Sequence, residues 1–199
     1  YYDTNPRGGL NPRFHTLASR GCPYKCIFCV WPATITGNDP YGDKPRSVRY
    51  YEPEYLEPYI AYRFKKNKFK SVWFDDDTFN LGTNHTIKMC EMMQRLNKPW
   101  FAMCRIDTIK KDIWKLMRES GCVGVKVGIE SGNQHVVDNI VNKHLDLEYT
   151  KEIVNYLVKD LKMSVHGTFT VGLPGETKSQ MLETIEYANS LPFTSKQIS

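Results

Sequence analysis

The stretch VGVKVGIES, residues 123–131, decides the fold. By the two-residue period of a strand, Val123, Val125, Val127 and Ile129 share one face, and Gly124, Lys126, Gly128 and Glu130 share the other. The apolar face packs on helices. Lysine and glutamate are costly inside an apolar core, so their face lines a cavity in which the two glycines leave room for something large. The alternative is an edge strand with a wet face.

Outward from this strand, strand and helix signals alternate. Upstream lie strands at 13–19, 70–74 and 100–106, and helices at 53–67, 84–97 and 111–120. Asn84 is the expected cap of the second helix, and Gly121 stops the third. Downstream come helices at 133–142 and 147–161, a strand at 164–172, a helix at 178–191 and the opening of another strand at 196–199. A Gly/Pro/Asn-rich stretch fills about 33–50. Alternating β and α segments with short connections predict a parallel sheet with right-handed crossovers. The expected fold class is therefore α/β: a partial (β/α)6 barrel of the TIM type rather than a small doubly wound sheet. The expected division is a lead-in linker over 1–13 and one core domain over 14–199, with the barrel incomplete at its C-terminal end, as in a fragment of a longer protein.

Composition narrows the class. The chain is 41% apolar and 25% charged with a net charge of +5 over 199 residues, ordinary for a globular domain. It has no run of about 18 apolar residues, the least a membrane-crossing helix needs. The basic run YRFKKNKFK, 62–70, reads as a solvated helix end whose lysines suit the dipole. No aromatic-interleaved basic stripe points to nucleic acid. Cys90, Cys104 and Cys122 are scattered through apolar segments and read as core cysteines. With no staple pattern in a chain of this size, a reducing cytoplasmic compartment is expected.

The other three cysteines crowd into SRGCPYKCIFCVWP, 19–32, as Cys22, Cys26 and Cys29 in a C-x3-C-x2-C spacing. Thiolates bind zinc or iron–sulfur clusters. A structural zinc site needs four ligands, and the fourth candidates, Cys90 and His15, do not form paired knuckles with the loop. A [4Fe–4S] cluster held by three cysteines leaves one iron open, so three can be the full set, with a small molecule as the last ligand.

This motif, with Phe28 before its last cysteine and a strand before the loop, resembles that of the radical S-adenosylmethionine (SAM) enzymes. SVWFDDDTF, GVKVGIESGNQ and TFTVGLPGET resemble that superfamily's acidic second-strand end, fourth-strand Glu-Ser-Gly segment and fifth-strand Gly-x-Pro-Gly-Glu-Thr segment. Together with CRID, the set is most similar to the cobalamin-dependent branch, which includes anaerobic magnesium-protoporphyrin ester cyclase-like and hopanoid-pathway proteins and class B methyltransferases. The resemblance implies a [4Fe–4S] cluster on Cys22, Cys26 and Cys29, with SAM on its open iron and reductive cleavage to a 5′-deoxyadenosyl radical. It further implies methylation with cobalamin or oxidative cyclisation; methylthio transfer would need flanking domains. Implied partners are a small-molecule substrate, an electron donor such as flavodoxin or ferredoxin, and a cobalamin-binding domain upstream, in an anaerobic or microaerobic setting. Outside this class, an iron–sulfur electron carrier or a zinc-stabilised binding module are the alternatives.

The resemblance also implies roles for single residues. Phe28 packs on adenine, or simply packs the loop. Asp75, Asp76 and Asp77 repel one another, so a cation nearby relieves them. At least one contacts the SAM ammonium, Asp77 before the others, unless they cap a loop. Glu130 suits paired ribose hydroxyls; it or Ser131 holds SAM, or else Glu130 pairs with Lys126. Lys143 meets the methionine carboxylate or is solvated. Val171 and Gly172 open a turn where backbone approaches a ligand closely. Glu176 and Thr177 can equally start the helix. Arg105, Asp107 and Lys126 are the candidates for catalytic contact with substrate, with an Arg–Asp structural pair as the alternative. His166 reads as a satisfied strand histidine.

Overall fold

The computed structural model describes residues 10–30 and 47–199. Its strands are β1 (Arg13–Thr16), β2 (Ser19–Arg20), β3 (Arg49–Tyr50), β4 (Ser71–Phe74), β5 (Trp100–Cys104), β6 (Cys122–Glu130), β7 (Ser164–Phe169) and β8 (Ser195–Ile198). Its helices are α1 (Pro53–Lys66), α2 (Thr83–Leu96), α3 (Lys111–Glu119), α4 (Leu147–Asn155) and α5 (Lys178–Ser190). Six strands form one parallel sheet in the order β1-β4-β5-β6-β7-β8, and β2 and β3 make a small antiparallel ladder. Sequential parallel strands joined through helices give the α/β half-barrel that the alternating pattern predicts.

Why the sheet has two different faces follows from the side chains. On the outer face Val72, Phe74, Ala102, Val125, Val127, Val165 and Phe169 are buried with the apolar stripes of the helices. Phe74, Phe79 and Trp100 pack ring to ring at 5.0–5.7 Å. Cys90, Cys104 and Cys122 lie in this same core, where burial pushes all three thiols up. Sequence spacing gave no sign that they meet, yet each is close enough to affect another's charge. The inner face carries half-buried Trp73, Met103, Lys126, His166 and Thr168. Its lower end is filled by Trp73 stacked on Phe101 at 5.6 Å, with the Arg13 guanidinium 4.4 Å above the Phe101 ring.

The room expected at the two glycines of β6 is taken by protein. A side chain at Gly124 would meet Ser164 and the Phe101 ring, and one at Gly128 would meet Glu130 and Lys143. Val123 is the extra residue of an irregularity opposite Trp100 and Phe101, so the core face of β6 begins at Cys122 instead.

Other boundaries differ as well. The first strand stops at Thr16, and Ser19 and Arg20 turn away to pair with Tyr50 and Arg49. Asn84 is not a cap: α2 begins at Thr83 after Gly82, whose φ of 77° suits only glycine, with no side-chain cap bond. The segment expected to be a helix over 133–142 forms a single wide π turn, Val136–Ile140, and a second π turn, Tyr156–Asp160, ends α4. Most of the Gly/Pro/Asn-rich stretch and of the lead-in lies outside the described residues. No helix among the described residues is long and apolar enough to cross a membrane.

Candidate active site

The thiol loop leaves the C-terminal end of β1 and is tied down at each step. Asp76, only 2% exposed, turns the chain: its carboxylate accepts from the Ala18 N–H at 3.1 Å, the Ser19 N–H and the Ser19 hydroxyl at 2.6 Å. Burial pushes its pKa up to about 6 against the pull of those donors. Next, the Gly21 N–H donates to Asp77 at 2.8 Å, and Cys22 Sγ lies 3.6 Å from the Thr78 hydroxyl. The Tyr24 ring then lies under the Arg105 guanidinium, 3.7 Å from its carbon. Asn142 donates to the Lys25 carbonyl at 3.1 Å, and the Ile27 N–H to the Val141 carbonyl at 3.0 Å. Cys22, Cys26 and Cys29 form no disulfide and are half-exposed, while Ile27, Phe28 and Val30 face outward. Burial pushes the Cys26 thiol up, and the nearby Lys143 and Arg105 cations draw it back. Among the described residues no three His, Cys, Asp or Glu side chains converge on a point that would hold a single ion.

The three aspartates therefore differ. Asp76 is spent on the turn, which corrects its reading as a cofactor ligand. Asp75 is exposed, accepts from Trp73 Nε1 at 3.2 Å and lies 3.9 Å from His15 Nδ1. Asp77 is half-buried, and burial raises its carboxyl. Asp75 and Asp77 line a cavity of about 740 Å³ with His15, Arg20, Tyr51 and Tyr59.

Glu130 ends β6 in the left-handed region, φ 76°, at a register shift against β7. A non-glycine residue there is strained. Its partner is Lys143 at 2.9 Å, not Lys126, and both side chains are about nine-tenths buried. This also corrects the solvated reading of Lys143. The bare Gly128 is what makes room for the pair. The Lys143 carbonyl in turn accepts from Arg105, whose guanidinium forms a fork to Asp107 at 2.6 and 2.8 Å. Arg105 is 5% exposed and its backbone is clasped by Asn80. It is a structural arginine behind the loop, which corrects its candidacy for substrate contact, while its partner Asp107 stays exposed.

Ser131 is fully buried, its hydroxyl 2.9 Å from that of Thr184 and accepting from the Asn133 N–H. It joins β6 to α5 and is not presented to a ligand. At the end of β7 the Val171 N–H donates to Ser199, and the Gly172 N–H, at φ 81°, donates to Glu176. Thr177 starts α5 with a capping box to Gln180. Sequence reading missed Tyr24, Asn80 and Asn142. Only Tyr24 carried a signal, an aromatic between two spaced cysteines.

The sequence profile of the radical SAM superfamily matches residues 16–188. The chain belongs to the radical SAM superfamily. It is 30% identical over 190 residues to cytidylyl-2-hydroxyethylphosphonate methyltransferase of Streptomyces wedmorensis, covering 89% of this chain and 33% of that protein. It is 27% identical over 177 residues to an uncharacterized methyltransferase of Pyrococcus horikoshii, covering 88% and 36%. The chain thus spans about a third of the length of these relatives. Among solved structures, the radical SAM methyltransferase TsrM of Kitasatospora setae shares the fold, with a TM-score of 0.78 and 18% identity over 94% of this chain and 35% of that one. Radical SAM enzymes use a [4Fe–4S] cluster and SAM, and these likenesses support neither the electron-carrier nor the zinc-module alternative.

Proposed function

We propose that this chain is the catalytic core of a cobalamin-dependent radical SAM methyltransferase, in which Cys22, Cys26 and Cys29 each bind a different iron of one cluster. The observation that carries this is the thiol loop itself. A zinc ion needs its thiolates to converge within about 2.3 Å of one point, and these do not converge. A cluster takes each thiolate on a separate iron, which suits three accessible thiols spread over a loop that backbone bonds hold in place. The Lys143 and Arg105 cations beside Cys26 offset the negative charge such a group brings.

When bound, the cluster and SAM supply a reductively generated 5′-deoxyadenosyl radical or an activated methyl group. The residues of this chain bind and orient. Asp77, and Asp75 beside it, face the cavity where an ammonium group is matched by carboxylate. The Glu130–Lys143 pair presents one carboxylate and one ammonium at the end of β6, partners for ribose hydroxyls and a carboxylate. Phe28 stands exposed on the loop and covers an adenine ring. Val171 and Gly172 border the same strand ends.

TsrM has been solved with cobalamin and a [4Fe–4S] cluster bound, and the two curated relatives are named as methyltransferases. Those names favour methyl transfer over oxidative cyclisation, with cobalamin held by a neighbouring domain of the full protein. Flavodoxin or ferredoxin supplies the electron, in an anaerobic cytoplasm. Full-length protein purified anaerobically should contain a corrinoid and a complete cluster, and Cys26→Ala should lose iron and sulfide together. Zinc bound in place of iron overturns the core assignment. A corrinoid-free protein that still converts SAM to 5′-deoxyadenosine overturns the methyl-transfer branch.

A further inference from the structure

We propose that Lys126, His166 and Ser195 form an oxyanion site on the inner face of the half-barrel, which holds an acidic group of the substrate. The site deepens the radical SAM reading, since it rests on this face being where substrate meets the thiol loop.

Register places the three side chains in one row. Lys126 of β6 is paired with His166 of β7, and His166 with Ser195 of β8. His166 Nδ1 lies 2.8 Å from the Ser195 hydroxyl. An imidazole that accepts the serine proton at Nδ1 carries its own proton on Nε2, so it remains a donor. Burial first, and the Lys126 charge second, hold the His166 imidazole below its usual pKa. Lys126 is half-buried, and its ammonium makes no hydrogen bond or ion pair among the described residues. A partly desolvated ammonium with no counter-ion is costly and calls for an anion.

Among the described residues, the neighbouring rows leave that demand unmet. The row nearer the strand ends holds Gly128, Thr168 and Gln197, polar but uncharged. The row below holds Phe101, Gly124 and Ser164. Glu130, four residues along β6 from Lys126, is already matched by Lys143. Across β5, Met103 stands beside Lys126 and offers an apolar wall for a carbon skeleton. One ammonium and one imidazole N–H on a common row suit a carboxylate or a phosphate, and a neutral substrate would leave the charge unpaired.

The test is histidine-selective NMR on cluster-loaded, SAM-bound protein. The His166 ring signal is identified by its loss in His166→Gln. Inorganic phosphate and, separately, acetate are titrated in. The site predicts a saturable shift of the His166 signal with at least one of them, at least tenfold weaker in Lys126→Gln and largely restored in Lys126→Arg. No saturable shift in the wild type, or equal affinity in Lys126→Gln, overturns the site. Cluster content and the spectral response to SAM, read on the same samples, show that each variant is folded. Their absence from the wild type would instead overturn the reading on which the site rests.

Discussion

At Gly128 a Cβ would point at the Glu130 carboxylate and come within 3.0 Å of the Lys143 ammonium. A buried ion pair that is broken from one side leaves an uncompensated charge. Glu130→Gln or Lys143→Met alone should therefore cost about 3–5 kcal/mol. The double variant should cost clearly less than the sum, as measured by denaturant unfolding in a double-mutant cycle. Strict additivity would show that the two groups do not interact. Asp76 gives a second prediction at this scale. Its folded pKa of about 6 lies above that of an unfolded aspartate, so the native state holds the extra proton between the two values. Its contribution is fully present below about pH 4 and is lost as pH rises through about 6. Asp76→Asn puts a neutral amide there that cannot titrate, so it removes the cost of burying the charge at neutral pH. The fall in stability between about pH 4 and 6 should be shallower in the variant than in the wild type. Equal slopes would contradict the assignment.

The thiol loop behaves as an element in its own right, without regular secondary structure. It is held by Asp77, Arg105, Val141 and Asn142, which come from the segments that follow β4, β5 and β6. Lysine cannot reproduce the planar fork that Arg105 makes to Asp107 while stacking on Tyr24. Arg105→Lys should thus let the loop open more often and speed the loss of the cluster's visible absorbance in air by roughly tenfold, the value of one charge-assisted hydrogen bond. An unchanged rate would remove Arg105 from that role. Such tethers are hard to read in a sequence, because Tyr24 and Arg105 share no local pattern. What was legible is what local chemistry determines. The cysteine spacing, the two faces of β6, the stop at Gly121 and the start at Thr177 each depend on near neighbours. The helix expected over 133–142 had the right apolar spacing, but Lys143 N–H reaches back to Val137 and Val141 N–H to Val136, which widens the turn. Asp76 looked like its neighbours until burial set it apart.

Seen as one molecule, the half-barrel sends its apolar side chains outward to the helices and keeps an inner face of half-buried polar groups. Alternation along β6 made that division readable from the sequence, whereas the filling of its glycines by Phe101, Glu130 and Lys143 depends on neighbours distant in the chain. Thiol loop, acidic cavity and the Glu130–Lys143 pair all gather at the C-terminal ends of the strands, where barrels of this class place their chemistry. The shared assumption is a cluster bound by only three side chains of this chain. Mössbauer spectroscopy of anaerobically reconstituted, isotope-enriched protein, recorded before and after adding SAM, tests it most directly. The account predicts that one iron of the cluster separates from the others and gains ligands when SAM is added. A spectrum indifferent to SAM, or a cluster whose every iron already carries a protein thiolate, would contradict it.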